Sequence, residues 1–193
     1  MLTQLAPLHA IAARRGDGLR PELANLLERR AKALSALASG EMTMSREQDN
    51  KAIIGRWFEG FWGNPWNPRI IDELAAPDML LQYSLHAPRR GREDVRNFMM
   101  DFRAAFPDLK FWGAADLIAE GDYVVGRWEG GGTHTGPAFV DFLTGSLPAA
   151  SGRRMHFTGT TVLRVENGKI AEEVGLDDGV AALTQLGILK AAA

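Results

Sequence analysis

The order of the predicted elements constrains the fold most, because helical patterns dominate the first part of the chain and strand patterns the last. This segregation favours an α+β fold, in which an antiparallel sheet carries helices on one face, over alternating βαβ units. Apolar residues recur at helical spacing over residues 21–38, 45–62, 67–75 and 91–106, and strand-like runs cover residues 79–86, 110–119, 123–130, 154–165 and 170–176.

The composition fits an ordinary globular domain. The chain has 193 residues, 46% of them hydrophobic, and a net charge of -2. Acidic and basic residues are intermixed, so no continuous positive surface is predicted for nucleic acid. No apolar run reaches the roughly 20 residues that span a bilayer, and no basic leader precedes an apolar segment, so a cytoplasmic protein is expected. Because the sequence has no cysteine, disulfides and thiolate metal sites are excluded.

The start of the chain is predicted to be separate from the main domain. Leucines at helical spacing predict an amphipathic helix over residues 21–38, which Gly40 ends. Met42 and Met44 follow, and either is able to start a complete domain. We therefore divide the chain into a helical N-terminal extension, residues 1–44, and a domain, residues 45–193. The alternative is that this helix is simply the first helix of the domain or packs on a dimer partner.

The last predicted hairpin has the clearest register. Asn167-Gly168 is a typical two-residue turn between strands, and it places Val165 opposite Ile170. Continuing the same register places Leu163 opposite Glu172. Side chains then alternate between an apolar face and a polar face.

Two carboxylates are predicted on the apolar face of this hairpin. Alternation places Glu172 and, at the end of the strand, Asp178 on that face, whereas Glu173 falls on the polar one. Burial among apolar groups raises the pKa of a carboxyl and suits it to acid/base chemistry near neutral pH. The alternatives are that Glu172 pairs with a buried Arg or Trp N–H, and that Asp178 caps a helix over residues 180–186.

Two histidines are further candidates. His134 lies in the glycine-rich residues 130–136, where the backbone is able to approach a ligand closely. It is a candidate acid/base partner, although most loop histidines are exposed and inert. His86 ends its predicted strand. A metal site built from His86, His134 and a carboxylate has no supporting ligand spacing, so no metal is predicted.

Several segments together resemble the SnoaL-like polyketide cyclases, also called ester cyclases, of the nuclear-transport-factor-two-like superfamily. The resemblance covers roughly residues 45–187, in the same order, and leaves residues 1–44 without a counterpart. The segments that carry it are Phe106-Pro107-Asp108, residues 121–128, residues 132–137, residues 168–172 with Asp178, and Gln185-Leu186-Gly187.

The resemblance implies a fold and a chemistry. The fold is a cone-shaped, curved antiparallel sheet with helices packed on its concave face, a cystatin-like roll, in a homodimer without metal or organic cofactor. The family's acidic residue late in the last strand is the general acid/base of an intramolecular aldol closure, and Asp178 matches it by its distance from Gly187. Val174 departs from the family's usual Trp, Asp177 forms an acidic pair with Asp178, and residues 139–151 are longer than usual.

The first functional hypothesis is an enzyme that acts without cofactor on a small, apolar carbonyl compound by aldol closure or isomerisation. Asp178 is its general acid/base, His134 its polarising or proton-relaying partner, and Glu172 a supporting group. The alternative is a catalytically silent module that binds a small hydrophobic molecule or dimerises. A third possibility, hydration of an epoxide, needs an arginine between two carboxylates, and Arg127, the one strand arginine near a suitable place, is predicted to point away from Trp128. The candidate cavity walls are Tyr83, His86, Trp57, Phe61, Trp112, Trp128, Phe139 and Phe157.

Overall fold

A computed structural model describes residues 45–190 of the chain. The whole predicted extension, residues 1–44, with its predicted helix over residues 21–38, lies outside this part. The helices are α1 (Arg46–Trp57), α2 (Ile70–Leu74), α3 (Arg92–Ala105) and α4 (Gly179–Gln185), and a π-helical segment, Phe58–Trp62, continues α1. The strands are β1 (Ala75–Gln82), β2 (Arg89–Arg90), β3 (Lys110–Gly113), β4 (Ile118–Glu120), β5 (Tyr123–Thr133), β6 (Arg154–Glu166) and β7 (Lys169–Asp177).

The strands form one curved, unclosed sheet, which confirms the predicted α+β class. Its order is β2-β1-β7-β6-β5-β3, and β4 pairs with β5. All pairs are antiparallel except β1 with β7, which is parallel and was not predicted. β1 also begins at Ala75 rather than at Met79, because the chain becomes extended directly after α2. Pro77 is accommodated where the β1–β7 pairing is interrupted, between Ala75 and Leu80.

The first helix is fixed at its start by a capping box. The Ser45 side chain accepts a hydrogen bond from the Gln48 backbone, and the Gln48 side chain accepts one from the Ser45 backbone. Asn50 then donates to the Gly121 carbonyl at 2.9 Å, which attaches the helix to the turn between β4 and β5. α1 is thereby held against β4 and β5.

The π-helical segment changes which side chains share a face. In an α-helix, residues five apart point about 140° away from each other. The wider π turn brings such residues back to the same side, so Trp57 and Trp62 both direct their indole N–H groups to one carboxylate. Arg103 of α3 donates to the Phe61 and Gly63 carbonyls, both at 2.8 Å, and satisfies the end of this segment.

The hairpin of β6 and β7 contains a β-bulge that the turn signal does not reveal. Val165 pairs with Ile170 as predicted, but Arg164 then pairs with Glu172. Ala171 is therefore the extra residue, and the predicted pairing of Leu163 with Glu172 is wrong. A slip of one residue moves every later side chain to the opposite face.

The bulge reverses the predicted placement of the carboxylates along β7. Glu173 and Asp177 point to the inner face, whereas Glu172 points outward and accepts a hydrogen bond from Arg164 at 2.8 Å. The prediction that Glu172 is directed inward is therefore wrong. Asp178, which follows by the same alternation, is exposed.

Candidate functional site

A pocket opens on the inner face of the sheet. Its empty volume is about 390 Å³, which includes its open mouth. Asp177 is the only carboxylate among its lining residues, all of which belong to the described part of the chain, and most of the others are aromatic. The lining comprises Phe58, Trp62, Tyr83, Leu85, His86, Phe102, Phe111, Trp128, Phe157 and Asp177.

Asp177 stands at the end of β7, opposite Gly159 of β6. Its carboxylate is half-buried and accepts a hydrogen bond from the Ser84 hydroxyl. Burial raises the pKa of Asp177, and repulsion from the neighbouring Asp178 adds to this, while the hydrogen bonds from Ser84 oppose it. A carboxylate with a raised pKa beside apolar walls is a stronger base than an exposed one.

His86 brings a neutral imidazole to the pocket wall. Its ring lies 4.2 Å from the Phe98 ring, and burial lowers the pKa of His86 from 6.5 to about 4. Nδ1 lies 3.4 Å from the Ala87 carbonyl oxygen, which only accepts, so this contact places the proton on Nδ1. Nε2 then carries a lone pair and has no hydrogen-bond partner among residues 45–190. It is able to accept a hydrogen bond from a ligand hydroxyl.

Two inward glycines make room for the aromatic walls. A Cβ atom at Gly175 would lie 2.1 Å from the Tyr83 ring, and one at Gly159 would lie 2.1 Å from the Trp128 ring. Both rings therefore lie directly against the sheet, in space that any other residue would fill. The depth of the pocket depends on these two positions.

Gly175→Ala is expected to destabilise the fold by about 1–3 kcal/mol, because the new methyl group overlaps the Tyr83 ring and forces it to move. Urea unfolding measures the change. Gly113→Ala is the matched control, because a Cβ there meets no atom closer than 3.7 Å. Equal stabilities for the two variants would contradict this account of Gly175.

A second inward carboxylate, Glu173, lies at the centre of a buried hydrogen-bond network. Its side chain is 0% exposed. Trp57 Nε1 donates to Oε2 at 2.7 Å, and Oε1 accepts from Trp62 Nε1 at 2.7 Å and from the Tyr83 hydroxyl at 2.6 Å. Burial raises the pKa of Glu173 and the three hydrogen bonds lower it in part. No Lys, Arg or His within residues 45–190 forms an ion pair with this carboxylate.

Thr161 extends the network across the sheet. Its hydroxyl accepts from Trp128 Nε1 at 2.7 Å and lies 2.9 Å from the Tyr83 hydroxyl. Thr161 is also 0% exposed. Tyr83 therefore connects the two buried acceptors, Thr161 and Glu173.

The structure does not bring Asp178 and His134 together. Asp178 accepts from the Ala181 backbone N–H at 3.1 Å, which caps α4, and lines a groove outside the sheet with Arg127 and Thr158. Asp177 lies between that groove and the inner pocket, since it lines both. Neither Asp178 nor His134 lines the inner pocket.

His134 is fully buried, and both of its ring nitrogens are engaged within its own loop. Nε2 lies 2.8 Å from the Pro137 carbonyl oxygen, so it donates, and Nδ1 accepts from the Ser151 hydroxyl at 2.9 Å. Its ring packs against Phe106 at 5.1 Å. In this arrangement His134 holds the loop over residues 134–151 and has no free nitrogen for a substrate.

The predicted walls are divided between the pocket and its surroundings. Trp57 and Phe61 lie behind it and stack at 4.2 Å, Trp112 is half-exposed and bonds Glu129, and Phe139 packs on Phe102. The predicted walls that do line the pocket are Tyr83, His86, Trp128 and Phe157. The remaining lining residues are not predicted from the sequence. They are Phe58, Trp62, Leu85, Phe102, Phe111 and Asp177.

Metal ligands are not clustered in the part of the chain that the structure describes. No group of three or more His, Asp or Glu side chains there is arranged to hold a metal ion. None of the helices within residues 45–190 has the length and hydropathy that spanning a bilayer requires.

A comparison with protein families finds one whose model matches most of the domain. The family is described as SnoaL-like polyketide cyclase, and its model matches residues 52–186. This range begins within α1 and includes the π-helical segment and every later element through the end of α4, and therefore every residue that lines the pocket. A search of curated proteins finds no match.

Solved structures with the same fold come from several bacteria. A protein of Jannaschia sp. CCS1, proposed to be a SnoaL-like polyketide cyclase, is 21% identical, with a TM-score of 0.62 over 76% of this chain and 97% of that one. TsrD of Streptomyces laurentii is 25% identical, with a TM-score of 0.60 over 76% and 99%. IdmH of Streptomyces antibioticus, proposed to be a polyketide cyclase, is 28% identical, with a TM-score of 0.51 over 74% and 99%.

Proposed function

Because the chain belongs to the SnoaL-like polyketide cyclase family, we propose that it is an acid/base enzyme that acts, without a cofactor, on a small apolar carbonyl compound. The observation that carries this proposal is the Asp177 carboxylate, the only charged group that residues 45–190 contribute to a pocket whose other walls are largely aromatic. Such walls hold an apolar ligand, and the carboxylate supplies a base beside it.

The proposed reaction is an intramolecular aldol closure. The Asp177 carboxylate takes a proton from the carbon next to one carbonyl group, and the resulting enolate carbon attacks a second carbonyl carbon of the same molecule. The alkoxide that forms receives the proton back from the Asp177 carboxylic acid, so no net proton is consumed. The aromatic walls hold the flexible molecule folded, with its two reacting carbons close together.

His86 orients the substrate in this proposal. Its Nε2 lone pair accepts a hydrogen bond from an enol or hydroxyl group, and its low pKa keeps the ring neutral above about pH 4. This role replaces the one that the sequence suggested for His134. A homodimer, a cytoplasmic location and the absence of nucleic-acid partners stay predictions.

Proton exchange in D₂O tests the proposal and does not require the natural substrate. The protein is incubated with a panel of small aryl ketones and β-keto esters, and NMR follows the loss of the signals from protons next to the carbonyl. We expect catalysed exchange for at least one compound, slowed when the neutral probe N-phenyl-1-naphthylamine occupies the pocket. Displacement of the probe by these compounds without any exchange would contradict the enzymatic role and support the silent binding module.

A further inference from the structure

The hydrogen-bond network around Glu173 does more than pair one buried carboxylate, because three of its donors, Trp62, Tyr83 and Trp128, also belong to the pocket wall. Trp62, Tyr83 and Trp128 line the pocket with their rings and place their polar atoms in the network. The acceptors, Glu173 and Thr161, do not line the pocket. The same three rings are thus held from behind by acceptors that a ligand does not touch.

The protons of the network have a single consistent order when Glu173 is ionised. The one hydroxyl proton of Tyr83 is donated to Glu173, so Tyr83 accepts the proton of Thr161, and Thr161 accepts from Trp128. Each donor is used once. The ionised carboxylate therefore fixes the direction of the two hydroxyl hydrogen bonds, from Thr161 to Tyr83 and from Tyr83 to Glu173, while the indole of Trp128 donates in any case.

The rings are also confined from the side of the sheet. Tyr83 lies against Gly175 and Trp128 lies against Gly159, so neither ring is able to move toward the backbone. Trp62 contacts Tyr83 edge to face, with 5.5 Å between ring centroids, and Tyr83 contacts Trp128 at 6.0 Å. Hydrogen bonds at the polar ends then select one orientation for each ring.

We propose that Glu173 and Thr161 are positioning residues, which set the orientation of Trp62, Tyr83 and Trp128 in the wall of the pocket. Stability alone does not account for such a group, because an ionised carboxylate in an apolar core without a cationic partner is costly to bury. The proposal rests on the proposed function only in taking this pocket as the ligand site.

Glutamine at position 173 is an informative replacement. Both oxygens of Glu173 accept from an indole N–H, one from Trp57 and the other from Trp62. The amide group of glutamine must therefore face one of these donors with its own N–H groups, whichever way it turns. Glu172→Gln is the matched control, because Glu172 is directed outward and pairs with Arg164.

The first readout is the set of five indole N–H signals in an NMR spectrum of the free, uniformly ¹⁵N-labelled protein. In Glu173→Gln we expect the Trp57 or Trp62 signal to shift and to exchange with solvent deuterium at least about tenfold faster. Trp112, which bonds Glu129 outside the pocket, should keep its signal, and Glu172→Gln should keep all five.

Thr161 supplies a second pair of variants in case Glu173→Gln does not fold. Thr161→Val removes the hydroxyl and keeps the shape, so the Trp128 signal should shift and exchange faster, whereas Thr161→Ser should restore both. Unchanged Trp128 exchange in Thr161→Val, or unchanged Trp57 and Trp62 exchange in folded Glu173→Gln, would overturn the proposal.

Catalysed proton exchange is the second readout. We expect its rate to fall by about tenfold in Glu173→Gln and Thr161→Val and to recover in Thr161→Ser. A rate that stays at the wild-type value in both impaired variants would overturn the positioning role. If the wild-type protein catalyses no exchange, the proposed function fails, and the indole signals alone still decide whether Glu173 and Thr161 orient the rings.

Discussion

Asp177→Asn is expected to lower the rate of catalysed proton exchange by about two orders of magnitude or more. The amide keeps the size of the side chain and still accepts a hydrogen bond from the Ser84 hydroxyl, but it has no basic oxygen that takes up a proton. The loss should fall on kcat rather than on KM, because the aromatic walls that hold the ligand are unchanged. Circular dichroism and urea unfolding establish that the variant is folded.

Asp178→Asn is the matched control for this experiment. The two aspartates are neighbours, but Asp178 is exposed and caps α4, and asparagine is as good a helix cap as aspartate. We expect exchange within about twofold of wild type and little change in stability. If Asp178→Asn instead removed the activity and Asp177→Asn kept it, the catalytic role would return to the residue that the sequence predicts.

The sequence predicts the fold well because strong local signals define most of its elements. The capping box at Ser45, the apolar stripe of α3 and the Asn167-Gly168 turn each act over a few residues and are visible without tertiary structure. The parallel pairing of β1 with β7 is different. It joins segments about ninety residues apart in the chain, and no local pattern determines it.

The site is predicted less well, and one residue explains the largest error. Alternation along β7 is correct on either side of Ala171, but the bulge there exchanges the two faces. The predicted carboxylates Glu172 and Asp178 are therefore each one position from the inward pair, Glu173 and Asp177. The sequence also does not reveal that Trp57 and Trp62 share a face. Residues five apart do so only in a π-helical turn, which the spacing alone does not predict.

The bulge and the π-helical segment have a joint consequence for the pocket. The bulge directs Glu173 inward, and the π turn directs both indoles of the first helical segment to it. If β7 had no bulge, Glu173 would point to the outer face of the sheet, and if residues 58–62 were α-helical, Trp57 and Trp62 would point in different directions. Two local irregularities that each break a periodic pattern together provide hydrogen-bond donors for a fully buried carboxyl group.

His86 should make the protein less stable in weak acid. Its pKa falls from 6.5 to about 4 on folding because the ring is buried, so the unfolded chain binds a proton between these values and the folded protein does not. The contribution of neutral His86 to the free energy of unfolding is therefore fully present above pH 6.5 and is lost as the pH falls toward 4. The difference between the two pKa values corresponds to about 3 kcal/mol.

His86→Phe isolates this contribution, because it keeps an aromatic ring against Phe98 and removes the titrating nitrogens. We expect urea unfolding to show a loss of stability between pH 7.5 and pH 4.5 that is about 2–3 kcal/mol smaller in the variant than in wild type. Glu173 and Asp177 have the opposite effect on the pH dependence of stability, since burial raises the pKa of both carboxyls. Both residues are present in wild type and in His86→Phe, so their effect cancels in the comparison. The exposed His156 is a control, and His156→Gln should follow wild type. An equal loss in wild type and His86→Phe would mean that His86 is hydrated and charged in the folded protein, and it would then face a ligand as a cation rather than as a neutral acceptor.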